Sequence, residues 1–101
     1  MKLSPLMSQK LKELKEHGGI VEYAYYPIMM KGQEQKLGLW SYPGVEIVQR
    51  GLYKEDRPAW EIDGNTVKAL FRRNLLEPIE YREGKYGEYP VKYRVIESGE
   101  G

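Results

Sequence analysis

Residues 63–76 constrain the fold more than any other part of the chain. Asp63 or Asn65 can accept hydrogen bonds from the free N–H groups of a first helical turn, as an N-cap residue does. Apolar residues then recur at helical spacing and form one stripe that faces a core, consisting of Val67, Leu70, Phe71 and Leu75. Pro78 follows and ends the segment. The pattern predicts a helix over residues 64–75 that packs by one face.

The other face of this predicted helix is basic. Lys68 and Arg72 lie four residues apart outside the apolar stripe, Arg73 flanks them, and residues 64–76 contain no acid. A short cationic helix followed by a hairpin is the arrangement in which a winged helix-turn-helix meets a DNA groove. The same cations are equally typical of a surface helix that they merely keep in solution. The pattern leaves both interpretations open.

Length and charge narrow the class of protein. A chain of 101 residues is large enough for one domain with a single small core, and 41% hydrophobic with 31% charged residues is a globular composition. The net charge is only +1, from 16 Lys+Arg against 15 Asp+Glu, whereas a dedicated nonspecific nucleic-acid binder is usually far more basic. Any DNA binding is therefore expected to be local, modest and sensitive to salt.

The absence of cysteine excludes several kinds of site. Disulfides, thiolate nucleophiles and cysteine-based zinc sites all require a residue that the chain lacks. No apolar run approaches the roughly 20 residues needed to span a bilayer, and the first residues contain no apolar signal core. We expect a cytoplasmic protein without a membrane partner.

A first helix is predicted over residues 5–17 by its start and stop signals. Ser4 is a good N-cap, and Pro5 suits the first helical position because its missing N–H is not needed there. Gly18 and Gly19 end the segment, since glycine readily adopts the left-handed cap conformation. The predicted buried stripe of this helix consists of Leu6, Met7, Leu11 and Leu14.

Residues 20–62 look extended. Pro27 argues against a central position for the first strand, because proline cannot donate to a ladder. The pattern predicts strands at 20–26, 37–42 and 45–48, a polar loop at 31–36, a turn at Pro43-Gly44, a mobile loop at 49–58, and a short strand or helix lead-in at 59–62.

The last third predicts a hairpin over residues 79–97, with a loop at 83–87 that contains two glycines. Alternation gives this hairpin one apolar face, made of Tyr89, Val91, Tyr93 and Val95. Residues 98–101 are expected to be a frayed tail. The elements together predict an α+β fold in one domain, with two main helices, an antiparallel β-sheet and a C-terminal β-hairpin.

The order of these elements resembles a winged-helix domain, in particular small uncharacterised phage and bacterial proteins of that type. The resemblance covers roughly residues 5–22 and 60–99 and lies in pattern rather than in one motif. The residues that carry it are Gln9-x-Leu11-x-x-Leu14-x-x-x-Gly18-Gly19-Ile20, then Thr66-Val67-x-Ala69-Leu70-x-x-x-Asn74-Leu75-Leu76-Glu77-Pro78, and finally Tyr93-Arg94-Val95-x-x-x-Gly99.

The resemblance implies where a DNA site would lie. It implies a wing over residues 82–89 and a recognition helix that carries Asn65, Thr66, Lys68, Ala69 and Arg72. On this interpretation Asn65, Lys68 and Arg72 face the major groove. The residues expected near phosphates are Arg73, Arg82, Lys85 and Lys92.

The chain offers little that suggests catalysis. His17 is the single histidine, and it sits where a helix is predicted to end, a position where a cation interacts favourably with the helix dipole. Gly84-Lys85-Tyr86-Gly87 has neither the strand before it nor the helix after it that a phosphate-binding loop needs. We expect no enzyme activity, no cofactor and no metal.

Nine tyrosines and two tryptophans leave three alternatives open. The rings can fill a small core, anchor a protein interface, or stack bases as in single-strand binders. The residues in question are Tyr23, Tyr25, Tyr26, Trp40, Tyr42 and Trp60.

The favoured function is that of a small protein that binds double-stranded DNA and regulates transcription. The alternative is a protein-binding module, an inhibitor or an assembly factor, that uses exposed aromatics on the same fold. Tyr23, Tyr25, Trp40 and Tyr42 near a strand edge also predict either a monomer or a homodimer formed through that edge, with the homodimer favoured.

Overall fold

The computed structural model describes residues 3–30, 32–50 and 55–97, which form an α+β fold, so the predicted class is confirmed. The predicted tail at 98–101, including Gly99 of the winged-helix pattern, lies outside the described residues. The elements in chain order are α1 (Pro5–Glu16), β1 (Ile20–Met30), β2 (Gln33–Ser41), β3 (Ile47–Arg50), β4 (Glu55–Pro58), α2 (Gly64–Arg72), β5 (Leu76–Gly84) and β6 (Gly87–Val95).

The main sheet is antiparallel, with the strand order β2-β1-β6-β5, and β3 pairs with β4 in a separate hairpin. Strand β1 pairs with β6 only over Ile20–Glu22, and from there onward its named partner is β2. Pro27 lies in this second part, opposite Lys36 of β2. The prediction that the first strand avoids a central position is wrong, since β1 lies between β2 and β6 in the sheet. The part of β1 that contains Pro27 has β2 as its named partner, so the missing N–H of the proline does not interrupt the pairing with β6.

Helix α1 begins as predicted. The Met7 N–H donates to Ser4 Oγ at 3.2 Å, and Pro5 occupies the first turn. The helix ends one residue before the predicted boundary, at Glu16, and the Gly19 N–H donates to the Leu14 carbonyl at 2.9 Å. Gly18 and Gly19 have φ values of 101° and 73°, which glycine adopts without strain.

The predicted stripe of α1 is partly wrong. Leu11 and Leu14 are buried, and Met7 packs against the core while remaining partly exposed. Leu6 is 62% exposed, because it lies in the first turn, one residue before Met7, and points away from the sheet.

Helix α2 begins at the predicted cap, where the Asn65 N–H donates to Asp63 Oδ2 at 3.2 Å. It ends at Arg72, earlier than predicted, because Asn74 adopts a left-handed φ of 61° and the Leu75 N–H turns back to the Leu70 carbonyl at 3.0 Å. The chain therefore leaves the helix without the help of Pro78. That residue lies inside β5.

The early end of α2 also changes its packing. Val67 and Leu70 are buried as predicted, but Phe71 is 43% exposed and Leu75 is only partly buried. Phe71 lies at the margin of the apolar stripe, and Leu75 already belongs to the turn. The prediction that both would be fully buried is wrong.

Two predicted loops contain strand. Residues 33–36 belong to β2. Residues 49–58 contain the end of β3 and all of β4, and these two strands pair with each other, Val48 of β3 with Arg57 of β4. Their polar side chains suit edge strands, whose outer faces remain hydrated. Residues 31 and 51–54 of these predicted loops lie outside the described residues. The short strand or helix lead-in predicted at 59–62 is an isolated β-bridge at Ile62, whose N–H donates to the Trp40 carbonyl at 2.9 Å.

The core lies between the two helices and the main sheet. Its buried members come from both helices, the Ile62 bridge and three strands: Leu11, Leu14, Val21, Ile62, Val67, Leu70, Leu76, Tyr93 and Val95. Between β1 and α2 the described residues form strands, turns and bends but no helix. In the described ranges neither helix has the length and apolarity that crossing a bilayer requires.

Candidate nucleic-acid interface

The outward face of α2 carries the predicted contacts to bases. Asn65, Lys68 and Arg72 are exposed, while Val67 and Leu70 on the other side of the helix are buried. Neither Lys68 nor Arg72 forms an ion pair with any residue that the structure describes. The structure thus brings two uncompensated cations and one amide together on one helical surface.

The two remaining predicted residues of the helix surface lie at its margins. Thr66 and Ala69 are half-buried. The Ala69 carbonyl accepts a hydrogen bond from Arg73 Nη1 at 3.0 Å. These residues shape the edge of the surface rather than its centre.

Arg73 is largely engaged in closing the helix. Besides the bond to Ala69, its backbone N–H reaches the carbonyls at the end of α2, where a cation is favourable. Its Nε is buried and has no hydrogen-bond partner within the described part of the chain. Arg72 and Arg73 line a cavity of about 430 Å³ together with Leu3 and Leu75. Two guanidinium groups therefore border one concave surface at the C-terminal end of α2.

The β5–β6 hairpin carries two cations near its tip. Arg82 and Lys85 are exposed, and Lys85 Nζ lies 5.7 Å from the ring centroid of Tyr86 at the tip. The register of this hairpin shifts between Pro78 and Tyr81, so simple alternation does not continue along its whole length. The predicted wing is a hairpin, and Arg82 and Lys85 form no ion pair with any residue that the structure describes.

Lys92 does not join this surface. Its Nζ lies 3.4 Å from a carboxylate oxygen of Glu22 and 3.4 Å from one of Glu80. Glu80 first, and Glu22 after it, raise the pKa of Lys92 above its ordinary value. Successive strand residues point to opposite faces, so Lys92 projects away from Tyr93, whose ring contacts α2.

A run of five aromatic rings crosses the sheet toward α2, and we call it the aromatic row. Successive ring centroids are 5.5 Å apart for Tyr25 and Tyr23, 5.3 Å for Tyr23 and Trp40, 5.6 Å for Trp40 and Tyr93, and 5.5 Å for Tyr93 and Phe71. These distances and the tilted or edge-on geometries are those that aromatic pairs favour. The row links the β1–β2 hairpin to the helix.

The aromatic row borders a cavity of about 430 Å³, which we call the aromatic groove. Among the residues that the structure describes, its lining contains one charged residue, Lys68, and no acid. The lining residues are Tyr23, Tyr25, Trp40, Gly64, Val67, Lys68, Tyr89, Pro90 and Tyr93. The basic face of α2 and the aromatic groove therefore meet at Lys68.

Sequence reasoning identified Tyr23, Tyr25 and Trp40 but did not connect them with α2. The spacing of Tyr23 and Tyr25 places both on one face of β1, and this was the available signal. The pairing of Tyr23 with Trp40 and the approach of Tyr89 depend on strand register, which periodicity alone does not give.

A second group of rings serves to attach α1. His17 stacks on Tyr42 with centroids 4.1 Å apart, and Tyr42 contacts Trp60 at 5.5 Å. Trp60 Nε1 donates to Glu13 at 2.9 Å, and Lys10 Nζ lies 5.0 Å from the Trp60 ring. Hydrogen bonds from Gln9 and then Trp60 lower the pKa of Glu13. These contacts favour a structural role for Tyr42 and Trp60.

Comparison with protein-family models, with curated protein sequences and with solved structures finds no match for this chain.

Proposed function

We propose that this protein binds double-stranded DNA and regulates transcription, with α2 as its recognition helix. The observation that carries the proposal is the outward face of α2, where Asn65, Lys68 and Arg72 are exposed and the two cations have no carboxylate partner in the described part of the chain. Duplex DNA offers both base edges and phosphates to such a surface.

The dimensions and chemistry of α2 support this proposal. An α-helix with its side chains is about 10–12 Å in diameter, and the major groove is about 12 Å wide and admits one. Asn65, at the N-terminal end of α2, carries a side-chain amide, the group that suits adenine in the major groove. Lys68 and Arg72 carry donors suited to guanine O6 and N7. Thr66 and Ala69 at the margins offer methyl groups that suit a thymine methyl.

The β5–β6 hairpin extends the proposed interface. It follows α2 directly, and β6 pairs with β1, the strand after α1, an order that supports a winged-helix-like arrangement. We assign Arg82 and Lys85 to phosphate contacts, with Arg73 at the helix end as a further neighbour of the backbone. Lys92 is left out of the interface because Glu22 and Glu80 already neutralise it.

Fluorescence anisotropy with a labelled duplex across a salt series tests the proposal. The double variant Lys68→Glu and Arg72→Glu is expected to lose duplex affinity by about tenfold or more for each residue, since each good base contact is worth about 1–3 kcal/mol. The matched control is Lys12→Glu with Lys15→Glu, which makes the same charge change on exposed positions of α1. Equal losses of duplex affinity in both double variants would mean that the effect comes from net charge alone, which would overturn the assignment of α2.

A second candidate function is a protein-binding module, an inhibitor or an assembly factor. Large apolar side chains that are exposed favour it: Tyr25, Phe71, Tyr81 and Tyr89 each expose more than a third of their surface. The salt series separates the two candidates, because binding through phosphates weakens as salt rises, whereas an aromatic protein contact depends far less on salt.

A further inference from the structure

We propose that the aromatic groove binds an unpaired nucleotide, with a base stacked on its rings and the adjoining phosphate held by Lys68. This inference rests on the nucleic-acid binding proposed above, but it assigns a second surface, which shares Lys68 with the face of α2, and a single-stranded ligand. It also assigns an occupant to rings that duplex binding through α2 leaves unused.

The rings that form the walls of the groove are accessible. Tyr25 is 52% exposed and Tyr89 is 38% exposed, although both lie in strands of the main sheet. Stacking on aromatic side chains is sequence-tolerant because every base has a π-face. Tyr25 and Tyr89 therefore offer ring surface to a ligand without any rearrangement of the core.

Two glycines leave room for two rings of the groove, those of Tyr23 and Tyr89, to lie against the strands. A Cβ on Gly38 would overlap the Tyr23 hydroxyl, and a Cβ on Gly84 would lie 2.7 Å from Cε1 of Tyr89. Neither glycine has a positive φ, so close approach of a ring is what requires glycine at these positions. The groove is thus preorganised, which lowers the entropy cost of binding.

The charge of the groove lining indicates the chemistry of its ligand. Within the described ranges, Lys68 is the one charged residue that lines the groove, it has no ion-pair partner, and no acid lines the cavity. A planar ring system that carries a phosphate complements both features. A proline-rich peptide would use the rings but would leave the ammonium group unpaired. The volume of about 430 Å³ falls within the range of about 300–1,000 Å³ typical of ligand sites.

The test is the binding of a labelled ten-residue oligothymidylate to the full chain, followed by anisotropy. Tyr25→Ala and Tyr89→Ala are each expected to weaken binding by about 5- to 100-fold, the range found for loss of one base–aromatic stack. The matched control is Tyr86→Ala at the hairpin tip, where the side chain is 94% exposed and does not line the groove; its affinity should be unchanged.

Intrinsic fluorescence provides an independent measurement. Trp40 lines the groove and Trp60 does not, so Trp60→Phe leaves Trp40 as the single tryptophan. Oligothymidylate should then quench Trp40. Quenching should disappear in Tyr25→Ala, which far-UV circular dichroism can check for folding. Should Trp60→Phe fail to fold, the anisotropy series decides alone.

The outcomes separate this inference from the proposed duplex function. Oligothymidylate binding that survives Arg72→Glu while duplex binding is lost would support both the groove and α2 as the duplex site. Oligothymidylate binding by a wild-type protein that does not bind duplex would support the groove and overturn the duplex function. Duplex binding without oligothymidylate binding would overturn the groove alone. Equal losses in the Tyr25→Ala and Tyr86→Ala variants would also overturn it. So would binding of a proline-rich peptide that depends on Tyr25, in the absence of oligothymidylate binding.

Discussion

The ring of Phe71 lies 5.5 Å from the ring of Tyr93, at an interplanar angle of 51°. This contact joins the outer margin of α2 to the buried face of β6. It also explains why an aromatic residue that is 43% exposed occupies this helix position, since its ring closes one end of the aromatic row. The position of α2 over the sheet therefore depends partly on one aromatic pair.

A double-mutant cycle measures this pair. Phe71→Leu and Tyr93→Leu retain apolar volume but remove ring–ring geometry, and the two changes should couple by about 0.5–1.5 kcal/mol. Urea unfolding of the wild type, both single variants and the double variant gives the coupling energy. Strictly additive losses would show that the rings are neighbours without mutual stabilisation.

The core of α2 should be far more sensitive than the exposed side of α1. Leu70 has no exposed surface, so Leu70→Ala is expected to lower the free energy of unfolding by about 2–5 kcal/mol. Leu6→Ala is the control, because Leu6 is 62% exposed and its truncation should change stability by only about 0.5 kcal/mol. Urea midpoints at constant slope compare the two, and similar shifts would contradict the observed packing.

Much of this fold could be predicted from local signals, and the misses have physical causes. Ser4, Asp63 and Gly19 fixed helix ends that the structure shows, because caps act within a few residues. The stop after Arg72 was missed because it depends on Asn74 in a left-handed conformation, which asparagine only sometimes adopts.

In the candidate site, too, the features set by local signals could be predicted and those set by strand pairing could not. Helical spacing correctly grouped Lys68 with Arg72 on one exposed face. It could not show that Lys92 is held by Glu22 and Glu80, because that contact depends on the pairing of three strands. The aromatic groove was beyond prediction for the same reason.

Stability in acid should depend on Glu13. Hydrogen bonds from Gln9 and Trp60 lower the pKa of this carboxyl below its ordinary value. A lowered pKa means that the folded state holds the proton less tightly than the unfolded state, so the stabilisation is present at neutral pH and is lost as the pH falls below about 4. Urea midpoints between pH 7 and pH 3 should therefore fall less steeply in Glu13→Gln. A slope in Glu13→Gln equal to that of the wild type would contradict this role of the carboxylate.

Self-association through a strand edge can also be tested in solution. Strand β2 lies at one edge of the main sheet, and Tyr23, Tyr25 and Trp40 lie on or beside it. Unpaired edges with aromatic neighbours tend to find partners, so a homodimer is expected at high concentration. Light scattering across a dilution series should show the mass falling from dimer to monomer. A constant monomer mass would leave this edge without a role in self-association.

The last prediction concerns Gly38, one of the two strand glycines that make room for an aromatic ring. Gly38→Ala places a Cβ where the Tyr23 hydroxyl lies, so the ring must move and the aromatic row must repack. Overpacking of this kind costs about 1–3 kcal/mol. The expected result is a lower urea midpoint together with a changed near-ultraviolet circular dichroism signal, because Trp40 contacts Tyr23.

Gly38→Ala combined with Tyr23→Leu provides the control. Removing the hydroxyl and ring removes the overlap, so the alanine should cost much less in the Tyr23→Leu background than in the wild type. An unchanged cost would mean that the loss comes from the strand backbone rather than from the ring. The ring would then owe its position to its other neighbours, Tyr25 and Trp40.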